Sequence, residues 1–277
     1  MPPHAVPVRL FDAADPRRRE RALADLAGGL ARWRLAWALA RSDITHRYRG
    51  SVLGPFWLTL STAVMLGALG FLYARLFRMD VTDYLPWLTV SLILWNVLSQ
   101  MVTDATTCLT AAEAVIRQMP LPYSVHALRV VLRNAVIAAH NLPLIGVVFL
   151  IFGVPVGWTL LLAIPGLALI AIAGFAASLF LGMVCARFRD IPPIVGSLMQ
   201  IAFFVSAVIW KPEMVGHWEP YLPLNPVFAV METVRAPLMG GTGGLAVWLA
   251  ALSWVGLTVA LAWAFFVRFR GRIAFWV

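Results

Sequence analysis

No stretch of this sequence constrains its fold more than Trp158 to Ala186, a long run that contains no Asp, Glu, Lys or Arg. A helix that crosses the hydrocarbon core of a bilayer needs about 20 mainly apolar residues, and six stretches qualify: Phe56 to Phe77, Leu85 to Leu109, Ala135 to Phe152, Trp158 to Ala186, Ile191 to Trp210 and Leu245 to Val267. The chain is 61% hydrophobic and 13% charged, whereas soluble domains carry about 25% charged residues. A water-exposed surface cannot be built from that. The predicted fold is an all-α integral membrane protein with six transmembrane helices.

The charges choose an orientation. Eighteen of the 22 basic residues fall in the leader, in the second and fourth loops or after the last span if the N-terminus is cytoplasmic, as the preference of Arg and Lys for the inner side requires. Arg75, Arg78, Lys211 and Arg235 are left outside, where Asp80, Asp83, Glu213, Glu219 and Glu232 outnumber them. Both termini are therefore expected in the cytoplasm, and the formal charge of +9 reads as a topology signal and not as a nucleic-acid footprint. No secretory leader is expected, because the first apolar stretch of spanning length begins only at Phe56. The chain divides into a polar cytoplasmic leader over 1–30, an amphipathic segment over 31–55 and a six-span domain over 56–277, with an inside loop at 111–124 and an outer loop at 211–244.

The segment "ARSDITHRYRGSVLGPFW" from Ala40 explains itself in this frame. On a helical wheel Leu30, Trp33, Trp37, Ala40, Ile44 and Tyr48 share a stripe, flanked by Arg41 and Arg47, with Arg34 and Arg49 farther off; the segment also carries Asp43. Such a helix lies in the cytoplasmic interface, its aromatics in the headgroup boundary and its arginines reaching phosphate. Gly50 and Gly54-Pro55 then turn the chain into the bilayer. A plainer alternative is a basic flank that only fixes topology.

Several motifs remain inside the spans and loops. Gly174, Ser178, Gly182 and Ala186 align small side chains on one face of the fourth span, as close helix packing needs. In the second span Asn96, Gln100, Thr103, Asp104 and Thr107 share a face. A carboxylate there must meet a partner helix, a water-filled path or the inner end of the span, and structural hydrogen bonding serves as well. The loop "AAEAVIRQMPLPYS" repeats Glu113, Arg117 and Gln118 at helical spacing before Pro120 and Pro122. Before the last span, Asn225 can cap a helix that starts at Pro226 and runs to about Met239, with Trp210, Trp218 and Tyr221 at headgroup level.

Chemistry of the chain's own is not apparent. "GGTGG" lacks the Lys and Ser/Thr of a phosphate-binding loop, no GxSxG nucleophile motif occurs, and no clustered His or carboxylate pattern suggests a metal. Cys108 and Cys185 have neither disulfide nor zinc spacing and read as small packing residues.

Together, "RSDITHRYRGSVLGPFW", "LILWNVLSQ", "VIRQMPLPYS", "ARFRDI", "LPLNPVFAVMETVRAPL" and "RGRIAFWV" resemble, in order, the membrane subunit of ABC transporters that export cell-surface polysaccharide such as O-antigen, capsule or teichoic acid. The likeness runs from about Ala31 to Val277. It implies a homodimer in the bacterial inner membrane, partnered by two copies of a separate ATPase that holds ATP and Mg, and an undecaprenyl-linked glycan as substrate. This chain would bear no cofactor. The resemblance also implies that Trp33 to Arg49 form an interface helix among membrane lipids, that Glu113 to Tyr123, with Arg117, Gln118, Met119 and Pro120, form a helix touching the ATPase, and that Arg187, Arg189 and Asp190 make a second contact. The helix from Pro226 would belong to an outer gate. "RQMPLP" departs from the family, which commonly has a Lys and a Phe-Pro pair there; Arg117 stands in for the Lys.

A glycan path suits uncharged polar groups and aromatic faces, since sugars offer apolar C–H faces and a rim of hydroxyls. Trp57, Phe71, Trp95, Phe203, Phe204 and Trp210 are candidate faces, with Asn96 and Gln100 as hydrogen-bonding groups; each can equally pack helices or face lipid. Two rival readings are a permease for a lipid or drug, and a membrane-embedded acyl- or glycosyltransferase built on His140, Asp104 or Asp190.

Overall fold

The computed structural model describes residues 17–47, 49 and 56–277. Tyr48, Gly50, Gly54-Pro55 and the first part of the leader lie outside the described residues. Two helices precede the first apolar span: α1 (Arg18–Ala31) and α2 (Trp33–Arg47). The bundle then comprises α3 (Phe56–Leu76), α4 (Val81–Thr106), α6 (Ser124–Phe152), α7 (Ala163–Arg187), α8 (Ile191–Val205) and α10 (Gly244–Phe269). Short α5 (Glu113–Gln118) links α4 to α6, α9 (Pro226–Leu238) precedes α10, and α11 (Ile273–Trp276) ends the chain. Among the described residues there is no strand.

Among the described residues five segments are long and apolar enough to cross a membrane: Thr59–Phe77, Val81–Thr106, Ser124–Phe152, Trp158–Arg187 and Gly244–Trp276. The expected fifth span is different. Its helix α8 has only 15 residues, about 22 Å at 1.5 Å per residue, less than the roughly 30 Å of a hydrocarbon core. Conversely, α6 begins earlier than the apolar run suggested. Its 29 residues extend about 43 Å, so Arg129 and Arg133, assigned to a loop from sequence, sit on its first turns.

Helix α4 is the centre of the bundle. Two-thirds of its apolar window is buried, against a third or less in the other four. Asp80 caps it, accepting from the Thr82 amide at 2.9 Å, and this bond holds the Asp80 carboxyl below its ordinary value. In lipid, apolar burial gives helices little reason to associate, and close approach of small residues does more. The small-residue face of α7 behaves this way: a Cβ placed on Gly174 would meet the Met101 Sδ at 1.8 Å, and one on Gly166 would meet the Thr233 carbonyl oxygen at 2.6 Å. Gly174, Ser178, Gly182 and Ala186 are all buried. Free Cys108 and Cys185 are buried as well.

The described part of the leader contains a helix, α1, docked on the start of α6. Its buried Asp25 accepts from the Tyr123 and Ser124 amides at 3.2 and 3.1 Å and from the Ser124 hydroxyl at 2.9 Å, so a side chain from one helix satisfies the free amides of another. Arg270 donates to the same carboxylate at 2.7 Å, which ties in the segment after α10. At the opposite end, Asn225 caps α9 as expected, accepting from the Val227 and Phe228 amides at 2.9 and 3.2 Å. Trp218 and Tyr221 are exposed there, with ring centroids 5.8 Å apart.

Candidate functional site

One groove runs between α3, α4, α6 and α8. Two openings of about 330 and 480 Å³ share Met65, Asn96, Ser99 and Thr103, so they form a continuous cleft. The α4 positions follow one another at helical spacing, which puts Asn96, Ser99, Gln100 and Thr103 on a single face. One wall is aromatic: Trp95 meets Phe203 edge to face at 5.4 Å, and Phe203 meets Phe204 at 5.2 Å. The other wall is polar, from Ser61, Thr62, Gln100 and Asn141, with Arg47 as its charged member at one end. Gln200 joins from α8.

Five of the eight side chains proposed from sequence for a substrate path thus come together: Trp95, Asn96, Gln100, Phe203 and Phe204. Trp57 and Phe71 do not line this groove; they are 56% and 62% exposed on α3. Trp210 lies past the end of α8 and donates its indole N–H to the Phe204 carbonyl at 2.8 Å.

The end of the groove nearest α2 closes on a charge network that no sequence spacing announced. Asp43 of α2 accepts from Arg129 Nε at 2.7 Å and from Arg133 Nη1 at 2.9 Å, and Arg129 Nη2 makes a further short contact. Arg133 Nη2 reaches Asp104 at 2.7 Å. Gln100 and Asn134 donate to the two oxygens of Asp104 at 2.8 and 2.9 Å. Burial alone would push the Asp43 carboxyl up, but the hydrogen bonds and charges of Arg129 and Arg133 outweigh it and hold that group below its ordinary value. Arg47 lines the groove and stands 4.0 Å from Asp104. Asp104 is therefore engaged in helix-to-helix bonding, and a catalytic role would have to break it. His140, another candidate acid–base group, donates from Nδ1 to the Val136 carbonyl at 2.7 Å, and Asp190, the third, is exposed.

The same network gives α2 a packed face beside its exposed one. Its packed face is buried Ala36 and Ala40 with half-buried Asp43, where small side chains let it lie close on α6, while Trp33 and Trp37 are exposed beside that face. Arg41 and Arg49 are exposed as well.

A second, wider groove of about 870 Å³ lies at the arginine-rich end, lined by α1, the α5 segment from Ile116 to Tyr123 and the turn after α10. Arg117, Gln118, Met119 and Pro120, singled out from sequence, all line it. The α5 helix is short, Glu113 to Gln118, and Met119 is already extended before Pro120. Glu113 pairs with Arg117 at 2.9 Å, and Arg117 also donates to a main-chain oxygen of Val277 at 2.7 Å. Arg187, Arg189 and Asp190 stand in a separate exposed turn between α7 and α8.

Sequence reasoning missed Asp25 and Arg235, both buried and both multiply bonded. The Glu232 to Arg235 spacing was the one available sign for the latter, since i,i+3 pairs meet on a helix. Asp25 gave none, because its partners lie far along the chain.

Residues 34–239 match the family model described as "ABC-2 type transporter". The chain is also similar to the O-antigen export system permease protein RfbA of Myxococcus xanthus, 25% identical over 203 residues, which is 72% of this chain and 78% of that protein. The protein of the same name from Klebsiella pneumoniae is 21% identical over 206 residues, 74% of this chain and 80% of its own length.

Proposed function

The chain belongs to the ABC-2 type transporter family, and from that premise we propose that it is the permease subunit of an ATP-driven exporter of lipid-linked cell-surface polysaccharide. It is a multi-pass membrane protein. Its family implies a partner ATPase; the reading takes two copies of that subunit, with ATP and Mg held there, on a homodimer of this chain. Both chain ends face the cytoplasm of the inner membrane, α8 together with the residues after it serves as the sixth crossing, and α2 lies at the inner interface among lipids. An undecaprenyl-linked glycan is the substrate class.

The observation that carries this reading is the groove. Its walls combine aromatic faces with uncharged amides and hydroxyls, which suits a sugar chain that must slide without being held: rings stack on apolar C–H faces, and hydroxyls exchange water for side-chain hydrogen bonds of similar strength. A drug or free-lipid permease would gain nothing from the amide row. The 870 Å³ groove with Glu113 to Pro120 is the ATPase contact in this reading, and Arg187, Arg189 and Asp190 a second one. Asp25, Ser124 and Arg270 support a stiff mount for that contact, since they join α1, α6 and the chain after α10.

The test is export by the whole complex. Deleting the chain in its source bacterium is expected to abolish surface polysaccharide and leave the finished lipid-linked glycan inside. Replacing Asn96 and Gln100 together by Leu is expected to reduce export at least tenfold with normal protein levels. Unchanged surface polysaccharide in the deletion strain would refute the assignment.

A further inference from the structure

Helix α8 stops abruptly after the aromatic pair. Ser206 leaves helical geometry, and Ala207 takes φ 49°, a left-handed conformation that a residue with a Cβ rarely adopts. Ala207 and Val208 are fully buried, so main-chain groups freed by the break have no water to turn to, and non-helical backbone in a membrane protein persists only where protein satisfies it.

Side chains do so here. The Phe204 carbonyl accepts from Trp210 Nε1 at 2.8 Å, the Val205 carbonyl from Asn225 Nδ2 at 3.1 Å, the Ala207 carbonyl from Arg235 Nη1 at 2.6 Å, and the Ile209 carbonyl from the Tyr84 hydroxyl at 2.6 Å. Arg235 is the charged member of this set and is 1% exposed. Its guanidinium also donates to the Ser91 hydroxyl at 3.0 Å and to Glu232 from Nε at 2.8 Å and from Nη2. It stacks 4.8 Å from the Trp87 ring. One side chain on α9 thus grips α4, neutralises its charge on its own helix and holds the strained residue of the break.

We propose that Arg235 is a positioning residue: it fixes the break at Ala207 and so sets where Phe203 and Phe204 meet Trp95 in the groove. Movement of α9 is thereby transmitted to the aromatic wall. The functional meaning of this link rests on the groove being the substrate path, but the link itself is tested without any substrate.

The readout is Val208→Cys in the full chain in native membranes, labelled with a water-soluble maleimide; Cys108 and Cys185 are buried and the parent chain supplies the blank. Labelling is expected to be slow, and Arg235→Lys to raise its rate at least tenfold, because a lysine cannot span Glu232, Ser91 and the Ala207 carbonyl together. Adding Ala207→Gly is expected to recover at least fivefold of that, since glycine accepts the left-handed conformation without strain. A packing defect elsewhere in the chain would not be relieved by a glycine at position 207. Arg235→Lys labelling within twofold of the parent, or no recovery with Ala207→Gly, overturns the proposal. Should Arg235→Lys fail to accumulate, Tyr84→Phe removes one hydroxyl from the same cradle and must show the same rise and the same recovery; otherwise the proposal fails. Export measured on the same variants judges the permease reading separately: altered labelling with unaltered export counts against that reading and leaves the link standing.

Discussion

Asp104 and Asp43 share Arg133 between three helices, and the burial of that bridge determines what its loss costs. Both partners of the Arg133 to Asp104 bond are at most 15% exposed, so Asp104→Ala removes a buried charge-assisted bond and leaves Arg133 only Asp43, which Arg129 shares; it is expected to destabilise the chain by about 1 to 3 kcal/mol, seen as a lowered unfolding temperature in detergent. Glu113→Ala removes an exposed i,i+4 pair and is expected to cost less than about 1 kcal/mol. The pH dependence follows from Asp43. A carboxylate whose folded pKa lies below its unfolded value of about 3.9 contributes stability that is fully present above that value and fades as pH falls through the folded one. The unfolding temperature should therefore show no loss from this group between pH 8 and 5 and a decline only in stronger acid, and Asp43→Asn should reduce that acid-induced decline.

At the scale of elements, α7 owes its place to glycines that differ in what surrounds them. Gly166→Ala pushes a methyl onto the Thr233 carbonyl, which is backbone, whereas Gly174→Ala meets the flexible Met101 side chain. The first is expected to cost about 1 to 3 kcal/mol by overpacking, the second less, and Gly256→Ala, which meets nothing within 4 Å, close to nothing. Unfolding of the three variants in one detergent gives the order. Most of this architecture was legible beforehand: uncharged runs located the long helices, the small-residue spacing located the tight face of α7, and Asn225-Pro226 located the start of α9. The groove residues Trp95, Asn96, Gln100, Phe203 and Phe204 were legible as residue types but not as neighbours, and α3 shows the limit, since Trp57 and Phe71 have the same chemistry and lie outside the groove. Hydropathy counts apolar residues without registering where a helix breaks, so α8 read as a full span although side chains distant in sequence end it at Val205. The docking of α1 was not legible in the polar leader because its anchor, Asp25, bonds to residues nearly a hundred positions away.

For the whole molecule, the short α8 sets a thickness preference. A wall of about 22 Å beside longer spans favours a thinner bilayer, at a cost of fractions of a kcal/mol per ångström of mismatch. Reconstituted with its ATPase, the chain is expected to export faster in lipids with 14-carbon tails than with 22-carbon tails, measured at equal protein orientation; the reverse order would contradict this account of α8. A four-turn wall also shortens the dry part of the passage. On the proposed reading that the groove carries a glycan, fewer rings of a threaded polymer are then stripped of bulk water at any instant, which lowers the drag on it.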